Sequence, residues 1–200
     1  VNSRNWVRLF LSTLLVGAVS TVIVAFIVRW DQHITEFANG EYLDFFSVIA
    51  WYIGVGLIFS IISQMGFFAY LTIHRFGLGI FKSLWSAVQM VLIIFVLFDL
   101  VYFRYIAFAN DGDSLLPYFA YPVFLLLYGL LVAYVKSAQT NKHAFVPALF
   151  FMVVVTTVEW FPVLRENQPE WLLFMLFPLL ACNSYQLLLL HRLNKSSAAK

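Results

Sequence analysis

The sequence predicts an all-α integral membrane protein, a bundle of six transmembrane helices joined by short loops with both termini in the cytoplasm. Three observations predict it. The chain is 62% hydrophobic and only 11% charged, with a mean hydropathy of +0.87, a balance outside that of water-soluble globules. It contains several uncharged stretches long enough to cross a hydrocarbon core roughly 30 Å thick at about 1.5 Å of rise per residue. Finally, the charges that lie between those stretches sort by sign.

The first span, 9–28, carries no charge, and neither does the second, 45–73. The third, 84–105, is uncharged up to Phe98 and then holds Asp99 and Arg104. The fourth covers 115–135, the fifth 144–160 with Glu159 near its end, and the sixth 171–190. Pro117, Pro122, Pro147 and Pro178 within these spans are expected at first-turn positions or kinks, where neighbouring helices satisfy the freed carbonyls. The stretch VNSRNWVR before the first apolar run, with Ala18-x-Ser20 inside that run, has some features of a secretory signal. Its spanning length and the anchor position of Trp6 favour a retained helix. No internal repeat or linker divides the chain, so one membrane domain, 1–200, is expected.

Short-loop Lys and Arg set orientation, because cytoplasmic loops retain them. Nine of the twelve basic residues (Arg4, Arg8, Arg75, Lys82, Lys136, Lys142, Arg192, Lys195 and Lys200) fall on one side of the six-span map. All ten acidic residues fall on the other, Asp31, Glu36, Glu41, Asp44, Asp99, Asp111, Asp113, Glu159, Glu166 and Glu170. The basic side is therefore assigned to the cytoplasm and the protein to a bacterial cytoplasmic membrane. Trp6 and Trp85 are expected near the inner boundary and Trp30, Trp160 and Trp171 near the outer one, with Trp51 deeper.

The run HRFGLGIFK, 74–82, then becomes a cytoplasmic turn. Its GxG lacks a third glycine, a P-loop lysine and a preceding strand, so phosphate binding is not expected. Gly77 and Gly79 are expected to break the helix, while His74, Arg75, Lys82, Lys136 and Lys142 form a basic ring that meets anionic headgroups or a partner protein. His74, His143 and His191 share no i,i+4 face and have cations nearby, which argues against a metal site. His33 carries no motif, and the single Cys182 offers neither an internal disulfide nor metal-ligand spacing. The NDGDS stretch at 110–114 reads as a turn, because it lacks calcium-loop spacing.

Polar residues inside the bilayer are the default place to look for function. Gln64, Gln89, Asn183 and Gln186 fall at comparable depth and are expected to hydrogen-bond across helices as an intramembrane polar cluster. Thr13, Gly17, Thr21 and Ala25 repeat every four residues and predict a face for close helix packing, within the chain or in a partner. Among the outer-side charges Asp99, Arg104 and Glu159, the i,i+5 spacing separates Asp99 from Arg104, and Arg104, Arg165 or Arg29 is the expected partner of Glu159. No HExxH or GxSxG occurs, and neither catalytic residues, metal, cofactor nor nucleic acid is expected.

The stretches SRNWVRLF, QMGFFAYLTIHRFGLGIFKSLW, VLIIFVLFDLVYFRY, QTNKHAFVPALFFMVVV and CNSYQLLLLH resemble the KinB-signalling pathway activation protein family (KbaA) of endospore-forming bacilli, over nearly the whole chain. The resemblance implies an integral membrane protein needed to activate the membrane sensor histidine kinase KinB, which feeds the sporulation phosphorelay. It implies no catalytic residues and no mechanism. From the residues, coupling by helix packing and by the basic inner face is the expected route, with membrane lipids and the kinase as partners. A small-molecule carrier or receptor is the alternative, with the polar amides and aromatic side chains lining its pocket.

Overall fold

The computed structural model describes residues 3–30, 34–35, 42–110 and 112–198, with side chains as far as Leu193. Asp31, His33, Glu36, Glu41, Asp111 and Lys200, and the side chain of Lys195, lie outside the described residues. The described residues form no strand. Their main helices are α1 (Ser3–Val28), α2 (Tyr42–Phe81), α3 (Trp85–Phe108), α4 (Ala120–Gln139), α5 (Phe145–Phe150), α6 (Thr156–Glu166) and α7 (Pro169–Ala198). Tighter 3-10 turns at Lys82–Leu84, Leu116–Phe119 and Lys142–Ala144 lead into α3, α4 and α5. A π-turn, Phe151–Val155, joins α5 to α6.

Among the described residues, five helical stretches are long and apolar enough to cross a membrane: Ser3–Val28, Tyr42–Phe108, Leu116–Gln139, Lys142–Glu166 and Pro169–Leu193. The expected count of six is thereby corrected to five. The second stretch is helical throughout its 67 residues and contains both of the spans expected at 45–73 and 84–105. Gly77 and Gly79 do not break it. A mid-helix glycine costs only about 0.5–1 kcal/mol relative to alanine, too little to stop a helix that is packed on its neighbours. The irregularity falls instead at Lys82, whose φ of +50° is a left-handed conformation. Prolines sit largely as expected: Pro117 opens a 3-10 turn, Pro122 and Pro147 occupy the third residue of α4 and of α5, and Pro178 lies inside α7.

The chain forms two compact units, Val1–Met65 with Glu159–Lys200, and Gly66–Val158. In the first, α1 packs along α7. Thr13, Gly17, Thr21 and Ala25 are all buried, so the small-residue face is used within the chain. Its partner on α2 is equally small. A Cβ on Gly17 would lie 2.6 Å from the Ser60 Cβ and 2.7 Å from the Gly56 carbonyl, and one on Gly56 would lie 2.7 Å from the Gly17 carbonyl. The two backbones meet because neither residue has a side chain. Rings of Trp51, Tyr52, Trp171 and Phe174 cluster further along the same unit, with Trp51 and Phe174 stacked at 6.3 Å.

In the second unit, α5 and the π-turn pack against α3 and α4. Phe67, Leu125, Ala133 and Phe151 are fully enclosed. The outward faces of many helices carry large apolar side chains, Leu43 at 85% exposure and Leu116 at 77% among them. Such surfaces suit hydrocarbon and not water.

Gly56→Ala drives a methyl into the α1 backbone, and we expect it to lower stability by about 1–3 kcal/mol, read as a lower unfolding temperature in detergent. Gly54→Ala meets nothing within 4 Å and should leave that temperature unchanged or slightly raised.

Candidate functional site, a buried polar relay

Helix periodicity places Ser60, Ser63 and Gln64 on one face of α2, and Asn183 and Gln186 on one face of α7. All five are buried. In apolar surroundings a polar side chain has no water to turn to, so each must find its partner in another side chain or a carbonyl. Gln186 Nε2 donates to Ser63 Oγ at 2.7 Å and to the carbonyl of Cys182 at 3.2 Å. Ser63 Oγ donates to Asn183 Oδ1 at 2.6 Å. Asn183 Nδ2 in turn donates to Glu159 Oε2 on α6, also at 2.6 Å.

The relay therefore runs in one direction, Gln186 to Ser63 to Asn183 to Glu159, and ends on a carboxyl group. Successive donors polarise one another, which strengthens the last bond of the chain. Beside it, Gln64 Nε2 donates to Ser60 Oγ at 3.2 Å. The Cys182 thiol faces the Thr13 carbonyl at 3.8 Å, which ties the seam of α1 to the same region. Glu159 is 6% exposed, and its Oε1 is buried without a hydrogen-bond partner.

Three of the four amides expected to cluster lie in this region, with Asn183 and Gln186 in the relay and Gln64 bonded to its neighbour Ser60. Gln89 is not joined to them. It belongs to the second unit, fully buried on α3, and neither its Nε2 nor its Oε1 meets a hydrogen-bond partner. Glu159 was expected to pair with an arginine, but its partner is the Asn183 amide. Arg29 pairs instead with Glu170, at 3.0 Å on the surface. Arg104 lays its guanidinium over the rings of Tyr121, at 5.0 Å, and Tyr118, at 5.8 Å. Asp99 is partly exposed. Ser60 and Ser63 carry the relay yet were not singled out from sequence. Their signal was the spacing Gly56, Ser60, Ser63, Gln64, small or polar at every third or fourth position of an otherwise apolar helix.

The basic run has its own construction. Trp85 Nε1 donates to His74 Nδ1 at 3.0 Å, and the Phe81 ring stacks on Trp85 at 5.7 Å. A Cβ on Gly77 would lie 2.5 Å from the Trp85 indole, so this glycine is required for close approach and not as a breaker. Tyr70 donates from its hydroxyl to the Pro147 carbonyl at 3.0 Å, and Trp85 lies 6.3 Å from Phe150. These contacts place the turns at 82–84 and 142–144 at the same end of the second unit. Arg75, Lys82 and Lys142 are exposed there, and Lys136, in the last turn of α4, is half-buried.

Two tryptophans expected as boundary anchors are core residues. Trp85 is 5% exposed, and Trp160 is fully buried with its Nε1 donating to the Leu172 carbonyl at 3.0 Å. His143 is exposed, and His191 Nδ1 lies 3.3 Å from the Leu188 carbonyl.

The fold and the relay define an all-helical protein with membrane-type apolar helices and a buried, directional polar core. Within that class the chain belongs to the KbaA family, KinB-signalling pathway activation in sporulation, whose profile matches residues 17–193. It is 52% identical over 192 residues to the KinB-signaling pathway activation protein of Bacillus subtilis (strain 168), covering 95% of this chain and 97% of that protein. No solved structure matches.

Asn183→Ala removes both the acceptor of Ser63 and the donor to Glu159, and each buried group left unsatisfied costs about 1–3 kcal/mol. We expect a clear fall in unfolding temperature. A Ser63→Ala, Asn183→Ala double-mutant cycle should show a coupling of about 0.6–2 kcal/mol, whereas Thr72→Ala, whose exposed hydroxyl bonds only the Phe68 carbonyl, should be close to neutral.

Proposed function

We propose that this protein is a multi-pass accessory protein of the bacterial cytoplasmic membrane that activates the KinB sensor histidine kinase branch of the sporulation phosphorelay. It acts by protein–protein contact within the membrane and is not an enzyme. The observation that carries the reading is the 52% identity to a KinB-signaling pathway activation protein over 97% of that protein's length. Placement of the basic turns in the cytoplasm fits the segregation of Lys and Arg from Asp and Glu along the sequence.

Coupling to a kinase requires contacts that differ between its two states, and a few kcal/mol of difference shifts their populations. The small-residue face of α1 supports packing inside this chain, so it is not the kinase surface. Arg75, Lys82 and Lys142 are exposed at one end of the second unit and suit an acidic cytoplasmic surface of the kinase or anionic headgroups.

Site-specific crosslinkers at residues 75, 78 and 142 should capture the kinase in membranes of a spore-forming host. Replacing Arg75, Lys82 and Lys142 together with Gln should lower kinase-dependent phosphorelay output several-fold at unchanged protein level. Failure of the kinase either to crosslink or to copurify would rule out direct contact. A single cysteine at 140 should react from the cytoplasm and one at 112 from outside, since the native Cys182 is buried.

A further inference from the structure

We propose that Glu159 is a binding site for one exchangeable monovalent cation, a proton or a sodium ion, held at its Oε1. Three features of the structure lead there. The carboxyl is 6% exposed within the apolar stretch Lys142–Glu166, a setting in which an uncompensated negative charge is strongly disfavoured. Glu159 makes no ion pair with any described residue, so the chain as described supplies no counter-charge. The donor relay converges on Oε2 and leaves Oε1 buried with no hydrogen-bond partner among the described residues. A positive ligand at Oε1 completes this arrangement.

The neighbouring groups narrow the class of ion. Ser60 and Ser63 from α2 and Asn183 and Gln186 from α7 are neutral, and Cys182 is a buried titratable side chain of the same region. A single carboxylate among neutral side chains suits a proton or a small alkali ion. Calcium or magnesium takes more charge or more water than this site offers, and zinc requires further nitrogen or sulfur ligands. Because Glu159 terminates the relay, a change of occupant alters the strength of the Asn183 bond and, through Ser63, the union of α2, α6 and α7. The proposal stands apart from the kinase reading, since it concerns only what this chain binds.

The test uses the full chain in lipid nanodiscs, isotopically labelled at glutamate, as wild type, Glu159→Gln and Glu159→Asp. Sodium occupancy is read with radiolabelled sodium and from unfolding temperature in sodium against choline salts. Proton occupancy is read from the infrared C=O band of an un-ionised glutamic acid side chain as pH is varied. A sodium site gives one bound ion per chain and a sodium-dependent rise in unfolding temperature, both lost in Glu159→Gln. A proton site gives no sodium dependence but an un-ionised glutamic acid band that persists at neutral pH, and Glu159→Gln lacks that band. Ionised bands alone at neutral pH, with unfolding indifferent to sodium and choline, overturn the proposal. Should Glu159→Gln fail to fold, the wild-type spectra and binding decide, with Glu159→Asp expected to shift the band or weaken sodium binding.

Discussion

The first unit depends on one close approach, the contact of α1 with α2 at Gly17 and Gly56, where a methyl on either glycine would lie within 2.8 Å of its neighbour's backbone or side chain. In a bilayer the hydrophobic effect does not draw helices together, so association rests on tight packing and on polar bonds. The glycine seam supplies the first and places the second. One turn beyond Gly56, the same face of α2 bears Ser60, then Ser63 and Gln64. Bringing α2 in that closely puts short hydroxyls within reach of Asn183 and Gln186 on α7. Bulkier residues at the seam would lengthen bonds of 2.6 and 2.7 Å and leave buried polar atoms stranded.

Periodicity along one helix was legible in the sequence, while register between helices was not. The stripe Thr13, Gly17, Thr21 and Ala25 could be read as a packing face, and it is buried throughout. Asn183 and Gln186 could be read as bonding partners because polar groups in apolar surroundings must be satisfied. Glu159 was misplaced for the same reason that Gln89 was. Depth along a helix says nothing of the direction in which a side chain faces, and a π-turn just before α6 adds a residue that straight-helix counting does not foresee. The helix through Gly77 and Gly79 escaped sequence reading because its support is tertiary. The Trp85 indole lies against Gly77 and bonds His74, so a residue that reads as a breaker serves as a contact.

Gln89 shows the limit of the satisfaction rule. An amide whose Nε2 and Oε1 are both buried without a partner is destabilising by ordinary accounting, and the described residues give no physical reason for it. In the relay, by contrast, every donor from Gln186 to Asn183 is engaged and the unfilled place is confined to one carboxyl oxygen.

On the proposed reading, the division of labour between the two units bears on how the protein would influence a kinase. The first unit spends its small residues and most of its buried polar groups internally, so a partner meets mainly large apolar side chains on its outward faces. Side chains such as Ile27 and Ile58 contact lipid as readily as protein and discriminate poorly between kinase states. The second unit presents its cations close together, because the Tyr70 bond to Pro147 and the Trp85 clasp bring the turns at 82–84 and 142–144 to one end. Each basic residue near an anionic surface contributes about 1 kcal/mol. Several acting on one kinase state but not the other amount to a few kcal/mol, short of the roughly 5.5 kcal/mol that carries a two-state equilibrium from one extreme to the other. On the proposed reading the basic end therefore biases a kinase already close to balance, and the rest of the bias must come from packing that distinguishes its two states.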